Sequence, residues 1–171
     1  MNPQVGYVLL AAGGDSPGRG VDSRGELMLI RFILYGLGGW CGEVIFTALT
    51  ESLPRRDWRL VGTTYLWMFP VYGLLAPLYE PVHELIRGVW LPGRVLIWSL
   101  GFTAIELLAG WLLARFTGRC PWDYVAAGKR WAINPYIRWD FFPVWAIIGL
   151  ALEPVHDFLV VLTPAIQTAL P

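Results

Sequence analysis

Four apolar blocks, roughly 27–53, 63–86, 95–116 and 141–162, occupy most of the 171-residue chain. Each is long enough to cross a hydrocarbon core of about 30 Å as a helix. Four such spans leave no length for a separate soluble domain. The composition agrees: 56% of residues are hydrophobic, only 15% are charged and ten are Trp, a profile well off that of a soluble domain. The expected fold is an all-α integral membrane four-helix bundle lying in the lipid bilayer.

Within the second and fourth blocks the chain writes nearly the same sentence twice. FPVYGLLAPLYEPVHEL covers 69–85 and FPVWAIIGLALEPVHDF covers 142–158. In both, FPV is followed by eight residues, then EPVH and an acid. A match of that length at a fixed offset points to a duplication, with repeat 1 at about 26–90 and repeat 2 at about 94–163 inside a membrane domain spanning 26–165. Two spans per repeat keep both repeats in the same orientation, so the expected relation is an axis along the membrane normal, the parallel kind of internal repeat. Pro70 and Pro143 suit the first turn of a helix, whereas Pro81 and Pro154 each remove a hydrogen bond beside the Glu-His pair.

The polar residues of these spans form a set. The first member of each repeat carries one carboxylate, Glu43 or Glu106; the second carries Glu80 with His83 or Glu153 with His156. An acid at the centre of a membrane helix is disfavoured by about 2.5–3.5 kcal/mol on insertion scales, so something must neutralise four of them. With Arg31 and Arg87 placed at span ends, protons or metal cations are the expected neutralisers. Glu-x-x-His sets carboxylate and imidazole one turn apart on one helix face. Two single Glu plus two Glu-x-x-His is the ligand set of ferritin-like di-iron and di-manganese bundles.

Glu43, Glu80, His83, Glu106, Glu153 and His156 are therefore the expected ligands of two divalent ions, with Fe first and Mn or Zn as alternatives. A haem between His83 and His156 is a lesser alternative. Glu84 and Asp157 point away from their neighbouring histidines along the helix and are expected to support that set from outside it.

The remaining signals are weaker. Residues 1–25 have no basic residue ahead of their short apolar run, fail as a signal peptide, and read as a mobile tail. The net charge is zero and the basic residues are dispersed, which gives no footprint for nucleic acid. Lys and Arg number five on the side of the termini and eight on the side of the first and third connections, favouring both termini outside. Gly36, Gly38, Gly39 and Gly42 permit close helix approach, within the bundle or in a homodimer. Cys41 and Cys120 sit too differently to suggest a disulfide. The connection 115–138 mixes Trp, Tyr, Arg and Lys as interfacial segments do. No nucleophile triad and no Walker motif is evident, so ATP hydrolysis by this chain is not expected.

Three segments, EVIFTA at 43–48, IELLAGW at 105–111 and CPWDY at 120–124, resemble the transmembrane protein 229 family. More distantly, the chain looks like the bacterial ABC-transporter type IV (CmpB-like) membrane family. The resemblance runs over about 29–159. It implies a small multi-pass protein, with the transporter label resting on analogy, and it carries over Glu43, Glu106 and the motif Cys120, Pro121, Trp122, Asp123 and Tyr124. The animal relatives have an acid near Glu80 and Glu153 without the following histidine, so the metal reading comes from this sequence itself.

The leading expectation is a dinuclear metal centre suited to an oxidoreductase acting on a lipid-soluble molecule. The rivals are a small proton- or cation-coupled transporter or permease-like subunit, and a structural scaffold with protonated carboxylates. The sequence alone does not decide whether the chain is an enzyme.

Overall fold

The computed structural model describes residues 19–169. The chain is all-helical among the described residues, apart from turns, loops and one isolated bridge between Ala132 and Arg138. Helix α1 covers Arg19–Thr47 and closes in a π-helical turn at Ala48–Ser52; α2 covers Met68–Gly73, α3 Leu75–Ile86, α4 Leu91–Thr117 and α5 Phe142–Ala169. Helix is thus already present from Arg19, where a tail was expected to continue to residue 25. The rest of that expected tail lies outside the described residues.

Three helical stretches, Ser23–Ser52, Leu91–Thr117 and Trp139–Ala169, are long and apolar enough to cross a membrane. The expected second span is instead divided at Leu74. Pro77 explains the break: it has no N–H to offer the Gly73 carbonyl, and its ring crowds that carbonyl. Bonds from the Leu74 amide to the Pro70 carbonyl and from the Leu78 amide to the Leu74 carbonyl, both 3.0 Å, carry the chain across. Together α2 and α3 rise about 28 Å. The helices continue through Pro81 and Pro154.

Local sequence sets the other boundaries. Pro92 lies in the first turn of α4, after an extended Trp90, and Gly118 ends that helix at φ 80°, a left-handed position that costs glycine little. Pro143 opens α5 in the same manner as expected.

Packing pairs α1 with α2 and α4 with α5, while α1 also touches α3 and α5. Two of the glycines among Gly36, Gly38, Gly39 and Gly42 of α1 make the first pairing close. A Cβ at Gly36 would meet the Phe69 ring at 2.7 Å and one at Gly39 would overlap Tyr72, whereas Gly38 and Gly42 face open space. The buried centre comprises Tyr35, Leu75, Ala76, Tyr79, Ile86, Trp98 and Leu159. Tyr79 stacks on Trp98 at 4.2 Å between ring centroids and donates to the Gly149 carbonyl at 2.8 Å. Large apolar side chains such as Leu66, Leu85 and Val161 are exposed. In water such a surface would be a liability, and in a bilayer it is the solvent-matched one. The chain is an integral membrane protein built as a helical bundle.

Candidate functional site

The duplicated EPVH segments come together, and arginines meet their carboxylates. Arg31 on α1 donates from Nε to Glu80 Oε1 on α3 at 2.7 Å. Arg94 on α4 donates from Nε to Glu153 Oε1 on α5 at 3.1 Å, and its other guanidinium nitrogen closes a second contact with Glu153. Trp98 Nε1 adds a bond to Glu153 Oε1 at 2.9 Å. Both glutamates are buried. The expectation that no arginine could neutralise them fails because Arg31 and Arg94, near the starts of their spans, have stems long enough to bring a guanidinium to the carboxylate while crossing apolar surface.

The histidines cross between the repeats. His156 Nδ1 lies 3.2 Å from the Tyr35 hydroxyl and 3.7 Å from Glu80 Oε1, and its Nε2 lies 3.2 Å from Glu84 Oε1. His83 mirrors this arrangement: Nδ1 is 4.0 Å from Glu153 Oε1 and Nε2 is 3.6 Å from Asp157 Oδ1. The two imidazole centroids are 5.0 Å apart at 80°. Neither His83 nitrogen has a hydrogen-bond partner among the described residues, although the side chain is buried.

Glu84 and Asp157 are half exposed at the mouth of this cluster, bridged by Arg87, whose Nε reaches Glu84 Oε2 at 2.8 Å and whose terminal nitrogens contact both acids. Sequence reading gave these two acids a supporting role because adjacent helix positions diverge. The structure brings each to the histidine of the other repeat, which spacing within one helix does not reveal. One ligand atom from each of His83, Glu84, His156 and Asp157 fits within a 4.8 Å span.

Glu43 and Glu106 are not brought to this cluster. Each stands twelve residues beyond the arginine of its helix, about 18 Å along the axis. Glu43 Oε2 accepts from Thr64 Oγ1 at 2.9 Å and from the Tyr72 hydroxyl at 3.1 Å. Glu106 accepts from the Tyr124 hydroxyl at 2.7 Å and from Trp145 Nε1 at 3.0 Å. The six residues expected around one metal pair are therefore divided between the two ends of the helices. Antiparallel pairing is the reason: Tyr72 and Trp145, early in the second member of each repeat, lie beside Glu43 and Glu106, while EPVH lies eight residues further on.

The CPWDY segment folds over the Glu106 end. Cys120 and Tyr124 are buried, Trp122 Nε1 donates to the Tyr136 carbonyl at 3.0 Å, and Asp123 Oδ1 accepts from the Ala126 amide at 2.9 Å. Pro121 is half-buried beside them. Burial pushes the Cys120 thiol pKa up from its ordinary 9.0. Arg138, just before α5, is held above its ordinary value by its bonds to Asp140 and stands over the Tyr124 ring at 5.5 Å. The signal that could have located the arginines is the repeat itself. Superposing Glu43 on Glu106 also superposes Arg31 on Arg94 and Tyr35 on Trp98, at one offset of 63 residues.

No solved structure matches the chain. The family model described as "Putative ABC-transporter type IV" matches residues 30–169, a stretch that holds both charged ends in full, and the chain belongs to that family.

Proposed function

We propose that this protein is a small permease-type carrier. Its two tandem helix pairs, related by an axis along the membrane normal, form a four-helix bundle that passes a cation or a proton through the histidine crossing. The observation that carries this reading is the reciprocal placement of His83 beside Glu153 and Asp157, and of His156 beside Glu80 and Glu84. Ionisable groups buried in membrane helices mark ion and proton pathways, and carriers built from repeats bind their cargo where the repeats meet.

The ferritin-like alternative, an oxidoreductase with two metal ions, has less support. Arg31 and Arg94 already neutralise Glu80 and Glu153, and Glu43 and Glu106 have hydrogen-bond donors of their own. A protonated-carboxylate scaffold meets the same objection.

Reconstitution into proteoliposomes tests the proposal. The purified protein should carry proton or divalent-cation flux above that of empty vesicles, read by entrapped pH- and metal-sensitive dyes, and His83→Ala with His156→Ala should abolish it. Flux equal to that of empty vesicles for every cation tried would overturn the carrier reading in favour of a scaffold.

A further inference from the structure

We infer that His83, Glu84, His156 and Asp157 form a binding site for one divalent transition-metal ion at the mouth of the histidine crossing. This ligand set differs from the six-residue dinuclear centre expected from sequence: it uses both acids that follow the histidines and none of Glu43, Glu80, Glu106 or Glu153. It names a cation for the carrier proposed above, and in that respect rests on that reading, while the site stands on its own geometry.

Four observations converge. One nitrogen or oxygen from each of the four side chains lies within 4.8 Å of all the others. An ion held at about 2.0–2.2 Å from each donor asks for donor separations of roughly 3.3–3.6 Å in a tetrahedron, a contraction that rotation of two half-exposed carboxylates can supply. His83 is a buried imidazole, 3% exposed, aimed into the cluster with both nitrogens unbonded among the described residues. Leaving a buried polar group unsatisfied is costly, and a metal bond satisfies a nitrogen that has no other partner. Tyr35 sits 3.2 Å from Nδ1 of His156; with an ion bound, its hydroxyl oxygen would accept from Nδ1–H and leave the Nε2 lone pair for the metal, the orienting role that groups behind a ligand play at metal sites.

Arg87 is the competitor. Its guanidinium contacts both acids on the side facing the histidines. The side chain is 44% exposed on a rotatable stem, so it can yield. Two carboxylates with one guanidinium leave a net negative charge, whereas two carboxylates with one divalent ion are neutral, which the buried histidines on their inner side favour. Two imidazoles with two carboxylates suit Zn, Fe(II) or Mn(II). The partial exposure of Glu84 and Asp157 supplies the route from solvent.

Isothermal titration of the full-length, detergent-purified chain with Zn²⁺ tests this. One equivalent per chain is expected, with affinity lowered about 100-fold or more in Glu84→Gln with Asp157→Asn and in His83→Ala with His156→Ala, and raised several-fold in Arg87→Gln. Glu43→Gln with Glu106→Gln should leave it unchanged. The acid pair is half exposed, so its variant reports on the site even where the histidine variant does not fold. No Zn²⁺ binding to the folded protein, binding indifferent to the acid pair, or two equivalents that require Glu43 and Glu106 would each overturn the site. Binding without flux in proteoliposomes overturns only the carrier reading, and flux without binding overturns only this site.

Discussion

The two ends of this bundle receive their carboxylates from different helices, α3 and α5 at one and α1 and α4 at the other, and treat them differently. At one end Glu80 and Glu153 are met by arginines, and the histidines reach from each repeat into the other. At the opposite end Glu43 and Glu106 are held by hydroxyl and indole donors from within their own repeats: Thr64 and Tyr72 for one, Tyr124 and Trp145 for the other. At one end the histidines cross between the two EPVH helices, and at the other each carboxylate takes its donors from its own half of the chain. A buried acid is therefore not by itself a marker of a shared site; its partners decide what it does.

The largest expected effect lies at the charged end. Arg31→Ala strands Glu80 in a buried position and should cost about 3–5 kcal/mol, as removal of one partner from a buried ion pair does. Chemical or thermal unfolding in detergent reads the loss. Replacing both Arg31 and Glu80 by Met should recover most of it, because no uncompensated charge remains. A loss below 1 kcal/mol for Arg31→Ala would mean that the pair is solvated and that the two ends do not differ in kind.

A smaller effect is expected where α4 and α5 pack closely. Gly149→Ala places a Cβ against the Trp98 ring, the same ring that bonds Glu153. Overpacking of this kind costs about 1–3 kcal/mol. Gly38→Ala, which meets nothing within 4 Å, should be neutral or slightly stabilising in the same assay, since alanine is the better helix former.

At the other end, Tyr72→Phe removes one of two donors to Glu43 and should cost about 1 kcal/mol. Tyr124→Phe should behave alike at Glu106. A loss as large as that of Arg31→Ala would erase the contrast between the ends.

The smallest effect concerns Cys120. Burial raises its thiol pKa above the ordinary 9.0; a group whose folded pKa is raised stabilises fully below its unfolded value and loses that contribution as pH rises. Stability should thus decline above pH 9 by an amount that Cys120→Ser removes. An alkaline decline identical in the variant would assign it elsewhere.

Much of this architecture was legible in the residues. Apolar length located three long membrane helices, and the matched FPV and EPVH offsets singled out the pairs Glu80 with His83 and Glu153 with His156. The Pro77 break was hidden because a continuous apolar run gives no sign of where a carbonyl loses its donor. Arg31 was discounted by its place at a span end, and Arg94 lay just outside the apolar block 95–116; both readings locate the Cα and neglect how far a guanidinium reaches. Grouping Glu43 and Glu106 with the histidines treated ligand order along the chain as position in space. Tyr124 was read only as part of an anchoring motif, since nothing in its local sequence shows that the loop folds back over Glu106.

The most direct test of the crossing is a pair of double-mutant cycles on stability in detergent, one combining His156→Ala with Glu84→Gln and the other His156→Ala with Glu43→Gln. The account predicts coupling above about 0.5 kcal/mol in the first cycle, where the side chains touch across the repeats, and additivity within about 0.5 kcal/mol in the second. Additivity in the first with coupling in the second would contradict it, and would return Glu43 to the company of the histidines.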